Sequence, residues 1–206
     1  MSIILNISDS SVEIGEIIMA TKGERTREHI LEVSYGLFAR WGFQRITMKD
    51  VCDASGLSRG GLYSHFSSTA EIFEAVLAQM EINLKLDFYD EIQKKIPAVE
   101  ILERALTMLE EEMQHPEDSL SLAMYEYAIS ADSSVMEEFV KSGTDKWKAF
   151  IQYGIDNGEF NNVPVDDLVI IIMNAYQGVR MWSRIITMTP EYTMAVTKHI
   201  RRQLIP

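Results

Sequence analysis

Residues 47–66, TMKDVCDASGLSRGGLYSHF, decide how this chain folds. Thr47 can cap a helix with its hydroxyl, and Asp50, three residues on, is placed to return a bond to the cap's backbone. Val51 and Ala54 then face inward. Gly56 permits the sharp turn that follows. Ser58 can cap a second short helix, along which Leu62, Tyr63 and Phe66 recur at helical spacing. Two short helices around a glycine turn outline a helix-turn-helix, the motif that lays its second helix in the major groove of DNA.

Working outward, the first question is charge. The 206 residues carry 19 basic and 31 acidic side chains, a net of −12. Residues 22–66 depart from that balance, with seven basic residues (Lys22, Arg25, Arg27, Arg40, Arg45, Lys49, Arg59) against five acidic ones. A basic end on an acidic body orients a protein on DNA, because the body is repelled by the phosphates. Ordinary solubility charge is the competing explanation.

Cys52 is the single cysteine, so no intrachain disulfide can form and a reducing cytoplasm fits. Its place on the inner side of the first motif helix suits a buried structural thiol. One cysteine and four scattered histidines build no zinc cluster, and no cofactor is expected. The N-terminus lacks the basic and apolar regions of a secretory signal. The longest apolar stretch, Leu168 to Val179, contains Asn174 and Gln177 and is closed by Arg180. It is shorter than the roughly 20 residues that span a bilayer, so no membrane partner is expected.

Residues 1–22 read as an N-terminal extension. Gly15-Glu16 can be encoded by a stretch spelling GGAGA, a bacterial ribosome-binding sequence, two codons before Met19. The expectation is that translation starts at Met19 and that residues 1–18 reflect an early start; a genuine N-terminal arm is the alternative. Sequencing the native N-terminus decides, and a start at Met1 refutes the idea.

Everything after Glu24 reads as helix, with no sustained period-two alternation. The first helix is expected over Glu24–Trp41, with Gly42 ending it. Ser68 and Glu71 form a capping-box start for a connecting helix reaching about Tyr89. Pro97 opens the next helix and Pro116 breaks it. Further helices are expected over Glu117–Ser130, from Ser134 to the Asp156-Asn157-Gly158 stop, from Leu168 to about Met188, and over Glu191–Leu204. The fold class is all-α with about nine helices: a three-helix head over 23–86 and a helical body over 87–206.

At this point the chain resembles the TetR family of bacterial transcriptional regulators. The resemblance covers roughly Glu24 to Leu86. It rests on ILEVSYGLFARWGF, T-M-K-D-V and ASGLSRGGLYSHF, and on the joint spacing of Phe38, Gly42, Thr47, Gly56, Ser58, Tyr63 and Phe66. It implies a homodimer with two reading heads, repressing a promoter and leaving the DNA when a small ligand enters the body. One departure stands out: where the family often has a phosphate-contacting lysine, this chain has Thr69, which brings a hydrogen bond but no charge.

Within the head, Arg59 opens the reading helix, where arginine can bridge guanine O6 and N7. Gly60 and Gly61 each cost about 1 kcal/mol in a helix relative to alanine, which suggests close backbone approach to DNA. Tyr63, Ser64 and His65 are candidates for phosphates or thymine methyls, whereas Phe66 suits the core. Thr47 and Ser58 can donate to phosphate while capping, and Arg45 and Lys49 suit positioning contacts.

In the body, the resemblance implies a plastic effector pocket among Met108, Met124, Tyr127, Trp147, Phe150, Met173, Tyr176 and Gln177, residue types that adapt to apolar ligands. Ordinary core is the competing reading of each. Glu126, Asn174 and Gln177 stand in apolar surroundings, as ligand-orienting groups or as surface or dimer contacts. The last two helices are the expected dimer interface, through Ile171, Gly178, Met181, Trp182, Ile185, Val196 and Ile200.

The expected partners are therefore an operator duplex, a second copy of the chain and an unidentified small effector. An activator, a ligand-independent regulator and a helical adaptor remain as other readings. An enzyme is disfavoured, because His29, His65, His115 and His199 are isolated and no phosphate loop, nucleophile set or HExxH site occurs.

Overall fold

A computed structural model describes residues 21–83, 88–130 and 134–206. The expected start at Met19 lies outside the described residues. Every regular element among those described is helical: α1 Lys22–Trp41, α2 Met48–Ser55, α3 Arg59–Tyr63, α4 Thr69–Asn83, α5 Phe88–Gln93, α6 Ala98–Gln114, α7 Ser121–Ser130, α8 Ser134–Asp156, α9 Val165–Trp182 and α10 Pro190–Leu204. That is ten α-helices, against about nine expected. The connecting helix, expected unbroken to Tyr89, is described as α4 and α5, with residues 84–87 outside the described set.

Caps explain several boundaries. Thr21 and Glu24 close a capping box that starts α1 two residues before the expected Glu24. At α4 the expected box is only half formed. The Glu71 N–H donates to Ser68 Oγ at 3.1 Å, but its carboxylate accepts from the N–H and hydroxyl of Ser67, each at 2.7 Å. A 3₁₀ turn over Pro116–Asp118 precedes α7, which starts later than the expected Glu117 because Ser119 Oγ accepts from the Ser121 N–H at 3.2 Å.

α9 ends at Trp182, short of the expected Met188. Beyond it three-residue bonds, Arg184 N–H to Met181 O at 3.3 Å and Ile185 N–H to Trp182 O at 2.8 Å, mix with the four-residue bond of the Ile186 N–H to Trp182 O at 2.9 Å.

Two apolar cores organise the chain. The first joins Ile30 and Phe38 of α1, Val51 of α2, Leu62 of α3 and Phe73 of α4 to Leu120, Ala123, Met124 and Tyr127 of the body and Met136 of α8. Its aromatic centre pairs Phe38 with Phe73 (5.0 Å between centroids), Phe43 with Tyr127 (5.0 Å) and Phe73 with Tyr127 (5.1 Å). The first two meet edge to face, an arrangement that adds roughly 0.5–1.5 kcal/mol per pair beyond area burial. The second core packs α5, α6, α8, α9 and α10 around Phe88, Phe150 and Ile172. The head thus rests on α7, and α7 in turn borders the body's interior.

Candidate nucleic-acid interface and effector cavity

The reading motif is held by short-range bonds. Asp50 Oδ2 accepts from the Thr47 N–H at 2.9 Å, and Thr47 Oγ1 accepts from the Asp50 N–H at 3.3 Å. The Thr47 hydroxyl also donates to Asp50 Oδ2 at 2.5 Å, and this bond together with the one from the Thr47 N–H holds the Asp50 carboxyl below its ordinary range. Gly56 ends α2 in the left-handed region, at φ 69° and ψ 13°. Ser58 Oγ accepts from the Gly61 N–H at 3.1 Å, and Ser64 Oγ donates to Gly61 O at 2.7 Å. His29 Nε2 lies 3.2 Å from Ser55 O, which ties α1 to the end of α2. The Arg27 guanidinium stacks over the Phe66 ring at 4.9 Å.

This scaffold buries Leu62, Val51 and Phe66 and turns the candidate contacts outward. Arg45, Thr47, Lys49, Ser58, Arg59, Gly60, Tyr63 and Ser64 are exposed, and Gly61, His65 and Thr69 are half-exposed. Lys49 pairs with Asp53 at 2.7 Å, an exposed i, i+4 pair that a phosphate can displace cheaply. A Cβ on Gly60 would meet nothing within 4 Å, so no contact in the free protein requires this glycine. Cys52 is buried on the inner face of α2.

Behind the head, the body contains an apolar cavity of about 130 Å³. Its wall includes Met108, Met124, Trp147, Met173, Tyr176 and Gln177, six of the eight expected ligand residues. The other two sit elsewhere. Tyr127 points into the first core, and its hydroxyl donates to Glu74 Oε1 on α4 at 2.5 Å. Phe150 is fully buried, stacked on Phe88 at 4.4 Å, and packs the second core. Glu126 is no ligand group in this arrangement, because it accepts from the Gln44 N–H at 2.9 Å. Asn174 is exposed and bonds back to Ile170 O on its own helix.

A wider cleft of about 750 Å³ lies between α1 and α4 of the head and α6 of the body. Glu28, Glu32, Glu111, Glu112 and Asp118 line it, and Met80, Met108, Glu112 and Arg180 border both spaces. Sequence reasoning passed over Arg180, which is only 7% exposed. Its Nε donates to Ser119 Oγ at 2.9 Å and its Nη1 to Glu112 Oε2 at 3.2 Å, and the Tyr176 hydroxyl accepts from Arg180 Nη1 and donates to Glu112 Oε2. Burial lowers the Arg180 pKa, opposed by Glu112, Tyr35 and Asp118. The available signal was spacing: Arg180 follows Met173 and Tyr176 on one face of α9.

Of the expected dimer residues, Ile171, Trp182 and Ile185 are exposed, Met181 and Val196 are half-buried, and a Cβ on Gly178 would meet open space. Ile200 is the correction. At 1% exposure it packs into the chain's own second core, where α10 meets α6, and offers no surface to a mate. Among the described residues no helix is long and apolar enough to cross a membrane.

Residues 30–76 match the family model described as bacterial regulatory proteins, tetR family. An uncharacterized HTH-type transcriptional regulator of Bacillus subtilis, YfiR, is 31% identical over 164 residues, covering 76% of this chain and 78% of its own. The probable acrEF/envCD operon repressor of Escherichia coli K12 is 22% identical over 179 residues, with 77% of each chain covered. A TetR-family regulator from Agrobacterium tumefaciens superposes with a TM-score of 0.74 at 16% identity, over 89% of this chain and 100% of that one. With an exposed, capped reading helix, an all-helical body and this relationship to YfiR, the chain belongs to the TetR family of helix-turn-helix transcriptional regulators.

Proposed function

We propose that this regulator is a homodimeric repressor that leaves a palindromic operator when a small apolar or amphipathic molecule enters the body. One observation carries the reading: the apolar cavity lies directly behind the head and shares its wall with it, since Met80 of α4 lines the same space as Met108, Met173 and Tyr176. A ligand filling that space has to act on a helix of the head. The adjoining cleft suits the ligand's polar end, and its carboxylates disfavour an anionic group. Repression is the sign supported by the E. coli relative's description.

Dimerisation is proposed through the exposed faces of α9 and the turn beyond it, with Ile171, Gly178, Trp182 and Ile185 at the contact. Because Gly178 faces open space, Gly178→Glu fits the protomer and should yield monomers in ultracentrifugation; an unchanged dimer refutes this placement.

Arg59, Tyr63 and the neighbouring groups are proposed to read and position DNA. Selecting bound duplexes from a random library tests the whole reading. A palindrome should be enriched, and the double variant Arg59→Ala/Tyr63→Ala should lose it with melting temperature and dimerisation intact. Retained binding by that variant overturns the assignment.

A further inference from the structure

Residues 39–44, the end of α1 and the turn into α2, are gripped from two sides by the body. From one side, Arg184 donates through Nη1 to Ala39 O at 2.7 Å and through Nη2 to Arg40 O at 3.0 Å. A cation at helix-terminal carbonyls meets both their unsatisfied acceptors and the negative end of the helix dipole. From the other side, Glu126 accepts from the Gln44 N–H, and its carboxylate lies so close to Gly42 that a Cβ there would fall 2.4 Å from Oε2.

Both grips are attached to helices that wall the apolar cavity, Glu126 on α7 and Arg184 in the turn directly after α9. On α9, Met173, Tyr176, Gln177 and Arg180 face the cavity, and Arg184 follows Arg180 by four residues, one turn further on. On α7, Ser121 and Met124 face the cavity, while Glu126, two residues past Met124 and so near the opposite side, faces the head. A displacement of either helix by a cavity occupant therefore moves a group bonded to the segment that enters the reading motif.

We infer that residues 39–44 are the joint through which the cavity controls the reading head, with Arg184 and Glu126 as its two struts. The inference rests on the effector reading above. The struts position the head and touch no DNA or ligand in this role. Arg184 suits it because its rigid planar fork gives each carbonyl its own nitrogen, whereas a lysine would have to share one nitrogen between them.

The test uses a built-in occupant. Gly143 lines the cavity, and a Cβ there would approach Met173 Cε at 3.4 Å. Gly143→Leu, or Gly143→Met if the branched side chain prevents folding, fills the space permanently. Operator affinity is measured by anisotropy for the parent and for Arg184→Ala/Glu126→Ala, each with and without the occupant. Melting temperature and ultracentrifugation check folding, and Arg184→Lys replaces the pair if it does not fold. The occupant should weaken operator binding at least about fivefold in the parent, the lower end of ordinary allosteric coupling. It should change it less than twofold once the struts are gone. An equal loss in both backgrounds overturns the joint and leaves the effector reading standing. No loss in the parent overturns both.

Discussion

Gly42→Ala should be costly in a way that Gly56→Ala is not. Gly42 has φ 80° and ψ 178°, a region that essentially only glycine occupies, and forcing alanine there costs about 1–3 kcal/mol. The new Cβ also lands 2.4 Å from Glu126 Oε2, so the carboxylate must move and its bond to Gln44 is lost. That bond is exposed and water can replace it, so its loss is worth about 0.5–1 kcal/mol. Reduced freedom of the unfolded chain returns about 0.4–1 kcal/mol. From the midpoints the net is about 2 kcal/mol, or about 4–8 °C in melting temperature for a chain of this size. Gly56 also has positive φ, but it is left-handed α with nothing within 4 Å of its Cβ, so alanine there costs about 1 kcal/mol. Urea titrations and thermal melts of both variants give the comparison. Adding Glu126→Ala should recover about 0.5–1 kcal/mol of the Gly42→Ala loss, because the two side chains collide. A Gly42→Ala loss no larger than that of Gly56→Ala would refute the reasoning.

Thr69→Lys, at the start of α4, should steepen the dependence of log affinity on log salt by about 0.9, the contribution of one phosphate contact; an unchanged slope places this position away from the backbone. Gly154→Ala puts a Cβ 2.2 Å from the Phe160 ring, which is locked against Phe150 at 5.6 Å. Overpacking should outweigh the helix gain by about 1–2 kcal/mol, and a melting temperature at or above the parent's sinks the prediction. For Asp50 the sign is acid-sensitive. Its folded pKa is depressed by bonds from Thr47, so its contribution is present at neutral pH and is lost as pH falls below the ordinary aspartate range. Asp50→Asn should flatten that part of the stability profile, and superposed parent and variant curves would contradict it.

The head was readable because its signals are local. Thr47 with Asp50, Gly56 at the turn and Ser58 before the short helix each depend on residues within four positions, and the structure forms those caps. The body was harder, because helical periodicity marks an inward face without saying which interior it meets. Met124 and Tyr127 lie three residues apart on α7, yet one lines the apolar cavity and the other completes the head's aromatic cluster. Ile200 fits the stripe of a dimer helix equally well whether it faces a mate or its own α6 neighbours. Arg184 and Glu126 were illegible as partners of residues 39–44. Their bonds cross 82 to 145 positions, a separation at which sequence spacing carries no information.

The first core has a consequence for anyone recombining regulators of this kind. Its packing runs through Leu120, just before α7, and Ala123 and Tyr127 of α7 as much as through the three head helices. A chimera cut near residue 86 would inherit the reading helix but leave Phe43 and Phe73 facing whatever α7 the recipient supplies. Operator specificity in this chain is thus not a detachable cassette. Transplanting it should require carrying α7 along, or recarving the recipient's α7 to accept those two rings.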